Sequence, residues 1–261
     1  MNLLDLMVKI GVDDQASGAV QKIAGGIKSG LGAAATAATA AVAAGATAVG
    51  ALTTASVSAY SDFEQLVGGV ETLFGQSAAQ LQAYAAGAYQ TAGMSANTYM
   101  ETATSFSASL LQGLGGDTAK AVEIANLAIT DMSDNANKMG TDINSIRDAY
   151  QGFAKDNYDM LDNLKLGYGG TASEMARLIN ESGVLGGSMQ VTAETVKDVP
   201  FDKMIEAIHQ VQSEMGITGT TAVEASTTIQ GSISSAKAAW DNWLAGMANP
   251  DADMTELTDQ L

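Results

Sequence analysis

The chain contains no cysteine, so a disulfide framework and thiolate metal sites are excluded. It contains one histidine, His209, which leaves nothing from which to build a histidine metal cluster. Aromatic residues make up only 5% of it, and alanine inflates the hydrophobic fraction of 46%. Alanine removes little apolar area from water, at about 25 cal/mol per Å². Thin helical layers are therefore expected, either elongated or dependent on neighbouring chains. Cations are also scarce: 12 Lys and Arg stand against 29 Asp and Glu, a net charge of −17. Direct nucleic-acid binding, which needs clustered Lys and Arg to neutralise phosphates, is not expected. No secretory signal peptide is expected either, because MNLLDLMVKI has no basic n-region and the first long apolar run starts too late.

Charge is missing altogether from Ser29 to Ser61. Residues 1–60 balance Asp5, Asp13 and Asp14 against Lys9, Lys22 and Lys28, so all the net negative charge lies beyond residue 61. The stretch LGAAATAATAAVAAGATAVGALTTASVSAY (Leu31–Tyr60) is long enough to span a bilayer, but 14 of its 30 residues are Ala and five are Thr. Insertion is marginal for that composition. Its recurrent small residues suit close packing against sister chains. A membrane-active or pore-forming role for this segment is the alternative.

Hydrophobic periodicity gives the coarse architecture. Leu4, Leu6, Val8, Ile10 and Val12 alternate as in a half-buried strand, and Ala16, Val20, Ile23 and Ile27 follow at helical spacing. Beyond the Ala-rich run, helices alternate with Gly-marked turns. Phe63, Val67, Val70 and Phe74 share one face up to Gly75. Ser95 and Asp117 are predicted N-caps, and Thr141 is predicted to open a helix carrying Ile143, Ile146, Tyr150 and Phe153. Two capping boxes, Thr171–Glu174 and Thr221–Glu224, start later helices, the second of them the last long one. Ile205, Ile208, Val211 and Met215 form another inward face; Ile229, Ile233, Ala236, Trp240, Trp243 and Met247 form the last, broken at Asn249-Pro250. The predicted fold class is all-α, an elongated multi-helix array with one short N-terminal β-strand. It divides into a strand–helix segment (1–28), an uncharged Ala-rich helix (29–61), an acidic helical core (62–247) and a C-terminal tail (248–261).

Candidate chemistry is sparse. His209 sits among apolar helix positions, and no Ser or Cys motif points at it, so a partly buried or surface histidine is expected. Gly113-Leu-Gly-Gly-Asp and Gly167-Tyr-Gly-Gly-Thr complete neither GxGxxG nor a P-loop, and read as helix-breaking turns. The stretch from Asp131 to Gly140 misses the EF-hand order and reads as a solvated helix end near a C-cap. Asp156, Asp159 and Asp162 recur every three residues and read as a charged helix face. No catalytic, cofactor-binding or metal-ligating residue is assigned, and no enzymatic activity is expected.

Four segments nevertheless have a family likeness. EQLVGGVETLFG (Glu64–Gly75), AGMSANTYMETATSFSASLLQGLGGDT (Ala92–Thr118), the long stretch from Asp131 to Leu178, and TTIQGSISSAKAAWDNWLAG (Thr227–Gly246) occur in colinear order. Together they closely resemble tail tape measure proteins of long-tailed phages and prophages of Gram-positive bacteria. The resemblance implies an assembly scaffold in the lumen of the tail tube, present in a few copies, around which tube subunits polymerise. It implies as partners further copies of itself, the tail tube protein, tail assembly chaperones and tail tip or baseplate proteins, with the host membrane reached during ejection. Family members are usually several times longer. Fully helical at about 1.5 Å per residue, this chain would reach only about 390 Å, so it is expected to be an N-terminal portion or a truncated form.

Overall fold

Alanine recurs at the buried positions of this protein's helices. In the computed structural model, residues 45–186, 190–227 and 229–260 are described, and all regular structure among them is helical. The expected strand, the helix after it and residues 29–44 of the uncharged run lie outside the described residues. The α-helices are α1 (Gly45–Phe74), α2 (Ala78–Thr91), α3 (Ala96–Gly113), α4 (Thr118–Met139), α5 (Ile143–Phe153), α6 (Ala172–Ser182), α7 (Phe201–Glu214), α8 (Thr220–Thr227), α9 (Ile229–Ala248) and α10 (Met254–Asp259). Single 3-10 turns cover Gly75–Ser77, Leu161–Leu164 and Val196–Asp198. Residues 45–60 of the uncharged run belong to α1, which continues through the first acidic residues to Phe74. Among the described residues, no helix is long and apolar enough to cross a membrane.

The chain forms two compact units, Gln65–Ala238 and Met1–Glu64 with Ala239–Leu261. In the larger unit α4 is the hub: α2, α3, α5, α7 and α8 all pack against it. Its first half is amphipathic. Ala121, Val122, Ile124, Ala125, Ala128 and Ile129 are buried, while Glu123 is exposed. Alanines, among them Ala85, Ala88, Ala103, Ala125 and Ala207, are buried among the packed helices, where a small side chain permits close approach of the axes. Larger side chains fill the space between them: Tyr99, Met100, Leu110, Met132, Tyr150 and Phe153 are all fully enclosed. Tyr99 also ties α3 to α4 through its hydroxyl, which donates to Asn126 Oδ1 at 2.8 Å.

Helix ends follow local capping chemistry. The Ser95 and Asp117 side chains accept from Thr98 N and Lys120 N. The cap of α5 is Asp142 rather than Thr141; its carboxylate takes both the Asn144 and Ser145 amides. At α6 one half of the capping box forms, with Thr171 accepting from Glu174 N at 3.2 Å. The return bond goes elsewhere: Glu174 accepts from Gly169 N. Gly170 allows this loop to lie flat on its neighbour, since a Cβ there would stand 2.1 Å from the Asp159 carbonyl oxygen. The Asp156, Asp159 and Asp162 series is not a helix face. Asp156 adopts φ 60° in the turn after α5, and all three side chains are exposed on turn and 3-10 backbone. The expected last long helix is covered by α8 and α9, separated only by Thr228, which lies outside the described residues.

In the smaller unit Trp243 is buried and stacks on the half-exposed Trp240, with ring centroids 5.0 Å apart. The Trp243 indole donates to Thr258 Oγ1 on α10 at 3.3 Å, and Asp253 caps that helix. Met215, Ala236 and Trp240, expected on inward faces, are exposed. In α9 Trp243 and Met247 are buried as expected, together with Ala238, Ala239, Asn242, Ala245 and Ala248.

Close helix approach through alanine gives a direct expectation. Ala128→Leu on α4 should overpack the core and lower unfolding free energy by about 1–3 kcal/mol. Ala119→Leu, at an exposed position of the same helix, should change it by less than about 0.5 kcal/mol. Urea denaturation of the two variants makes the comparison.

Candidate functional site

Five consecutive residues of α4, Asp131, Met132, Ser133, Asp134 and Asn135, are buried. Each residue advances about 100° around a helix, so five cover more than a full circle. The helix is enclosed on every side at this point, and three of its enclosed side chains carry a carboxyl or an amide. The reading of Asp131–Gly140 as a solvated helix end is therefore wrong for its first half. The C-cap itself is as expected, with Gly140 left-handed at φ 63°. Hub position overrides polarity here: the segment is buried because helices surround it, and its polar groups must then find partners.

Each of the three finds one on a different element. Asp131 meets His209 of α7, with Nδ1 2.9 and 3.0 Å from the two carboxylate oxygens. Asp134 reaches the start of α8, where Oδ2 accepts from Gly219 N at 2.6 Å and Oδ1 from Thr221 N at 2.8 Å. Asn135 donates through Nδ2 to the Leu164 carbonyl at 2.9 Å, fixing the 3-10 turn. The Asp134 contacts explain a failed expectation. Thr221 does not cap its helix; Gly219 precedes α8 with no side chain to offer, and a carboxylate from 85 residues earlier supplies the cap.

His209 is the partly exposed histidine expected from sequence, with 30% of its side chain accessible against 1% for Asp131. The bonded Asp131 carboxylate raises the imidazole pKa above its usual value, reinforced by the charge of Asp134 and opposed by partial burial. Burial pushes the Asp131 carboxyl up, overcoming the lowering effect of the histidine. Two groups nearby on α5 and α7 are enclosed without protein partners. The Tyr150 hydroxyl is one, its pKa raised by burial and by the charge of Asp131, and both polar atoms of Gln212 are the other.

Chemically, Asp131–His209 is an orienting carboxylate and an imidazole, the two parts of a general-base pair. Among the described residues, no hydroxyl hydrogen-bonds the outward Nε2. The pair as built is a tether between α4 and α7. The Gly167–Thr171 loop is likewise held by protein: Arg177 donates to Gly167 O at 2.9 Å, pairs with Glu174 and Glu181, and lies 4.2 Å over the Tyr168 ring. The Gly113–Asp117 loop turns through left-handed Gly115 and Gly116 into the Asp117 cap. Among the described residues no group of acidic and histidine side chains could hold a metal ion. No family model, curated protein or solved structure matches this chain.

Two outcomes follow from this geometry. Asp134→Ala should cost about 2–4 kcal/mol, because it removes two charge-assisted bonds and leaves two amides without acceptors; thermal and urea unfolding measure it. His209 has a raised folded-state pKa, so its stabilisation is complete below about pH 6.5 and declines as pH rises through the folded value. The stability gap between the native chain and His209→Gln should accordingly shrink from about pH 6 to pH 9. A gap constant across that range would contradict the tether.

Proposed function

We propose that this chain is a structural scaffold of the phage tail tape measure kind, and not an enzyme. The observation that carries the reading is the colinear likeness of four segments across residues 62–247. The longest of them, Asp131–Leu178, runs from the buried stretch of α4 to α6 and includes Asp131, Asp134, Asn135 and Arg177, side chains that tie separate segments together. The helical architecture and the excess of 29 acidic over 12 basic residues accord with it. An acidic surface repels DNA that must pass the same lumen.

In this reading copies of the chain associate within the tail tube as an elongated helical array, with the uncharged 29–61 segment packing closely between them. Tail tube protein polymerises around that array, assisted by tail assembly chaperones and ending on tip or baseplate proteins. The protein occupies the host cytoplasm during assembly and the tube lumen in the virion, and the uncharged segment meets the host membrane only on ejection. A membrane-active or pore-forming protein is the second reading, favoured by the absence of charge from Ser29 to Ser61.

Purified tail tube protein should polymerise into tubes of narrow length distribution when this chain is present, and of broad distribution without it. Identical distributions by electron microscopy would remove the length-setting role. Liposome flotation separates the second reading: strong binding by the intact chain, lost on deletion of 29–61, would favour it.

A further inference from the structure

A cleft of about 470 Å³ opens beside the buried polar stretch of α4, within the size range of small-molecule sites. Its walls come from the α2–α3 turn, the end of α4, the start of α5, α8 and the first part of α9. Three of its lining residues, Ser133, Thr141 and Thr221, carry enclosed hydroxyl oxygens with no hydrogen-bond partner in the protein. Ser133 is only 4% exposed.

The hydroxyls of α3 behave differently. On α3, Thr102, Thr104, Ser105 and Ser107 each donate back to a carbonyl of their own helix, the usual outlet for a helical hydroxyl. An enclosed hydroxyl without a partner destabilises a fold, so three around one cleft mark a place where stability is given up for complementarity to something else. The three are also well positioned. Ser133 lies next to Asp134 on the enclosed turn of α4, Thr221 has its amide fixed by Asp134, and Thr141 precedes the Asp142 cap.

The chemistry of the lining narrows the ligand. Among the described residues no Lys, Arg or His borders the cleft, so those residues offer no cation to an anion. Its one carboxylate, Asp142, is already engaged by two amides of its own helix. What remains is hydroxyls and the Asn137 amide, which donate and accept equally, beside the apolar surfaces of Met94 and Ile143. The three hydroxyl oxygens are enclosed as they stand, so a ligand meets them only after a rotation about χ1. We infer that this cleft binds a neutral polyhydroxylated small molecule, a saccharide or cyclic polyol, through Ser133, Thr141 and Thr221. The inference stands apart from the scaffold reading and does not depend on it.

Saturation-transfer NMR on the full chain, with maltose and myo-inositol as probes, tests it, followed by titration calorimetry. At least one probe should show saturation transfer and saturable binding. Ser133→Ala and Thr221→Val should each weaken that binding about tenfold, the worth of one well-made hydrogen bond. Neither should lower the melting temperature of the ligand-free protein, since each removes an unpaired group. Ala136→Trp, which fills the cleft, should abolish binding. Excluded polyols stabilise any folded protein, so a melting shift common to native chain and variants does not count as binding. No saturation transfer from either probe, or affinities unchanged in Ser133→Ala and Thr221→Val, would overturn the assignment.

Discussion

Enclosing one polar helix turn on all sides is the constraint from which the rest of the larger unit follows. Asp131, Asp134 and Asn135 cannot reach bulk water from the hub helix, and an unpartnered buried carboxylate or amide costs several kcal/mol. Each therefore ends on a group that the surrounding elements could not satisfy by themselves: an imidazole on α7, the first amides of α8, a carbonyl of the 161–164 turn. Alanine-lined contacts supply little burial energy per residue, so these directed bonds also set the register in which the helices meet. An Ala-rich fold whose apolar packing is permissive gains a defined arrangement from a few polar ties.

The same economy appears elsewhere in the unit. Asn180 bonds both backbone groups of Val191, Nδ2 donating to its carbonyl and Oδ1 accepting from its amide, as a strand neighbour would. Arg177 gathers a loop carbonyl, two glutamates and a tyrosine ring. Such side-chain clips replace sheet edges and long loops in an otherwise helical protein. They agree with a scaffold whose helices keep their positions while the chain makes extended contacts with partners. The hydroxyls of Ser133, Thr141 and Thr221 stay outside this pairing, as do the Tyr150 hydroxyl, Asn135 Oδ1 and the Gln212 amide.

Most helices over the described residues were legible from periodicity, α10 within the expected C-terminal tail being missed, and so were the caps at Ser95, Asp117 and Thr171, because a cap is a local relation between a side chain and an amide two or three residues on. The polar centre was not. Polarity of Asp131-Met-Ser-Asp-Asn argues for solvent, and only the number of helices around α4 reverses that. The cap of α8 was equally out of reach, since Asp134 and Gly219 are joined by topology and not by spacing. One local cue did exist: Gly219 precedes Thr220 with no capping side chain, which leaves a helix start needing a donor's partner from elsewhere. The Asp156, Asp159 and Asp162 period misled because spacing of three is shared by helices and by successive tight turns.

The enclosed turn of α4 and the structures it holds should open as one unit. Native-state hydrogen exchange of the full chain tests this most directly. The amides of Gly219 and Thr221, although they lie at a helix start, should exchange with the same opening free energy as the α4 amides around Asp134, and that value should equal the global unfolding free energy. Exchange of Gly219 and Thr221 at loop rates, with α4 still protected, would contradict the account.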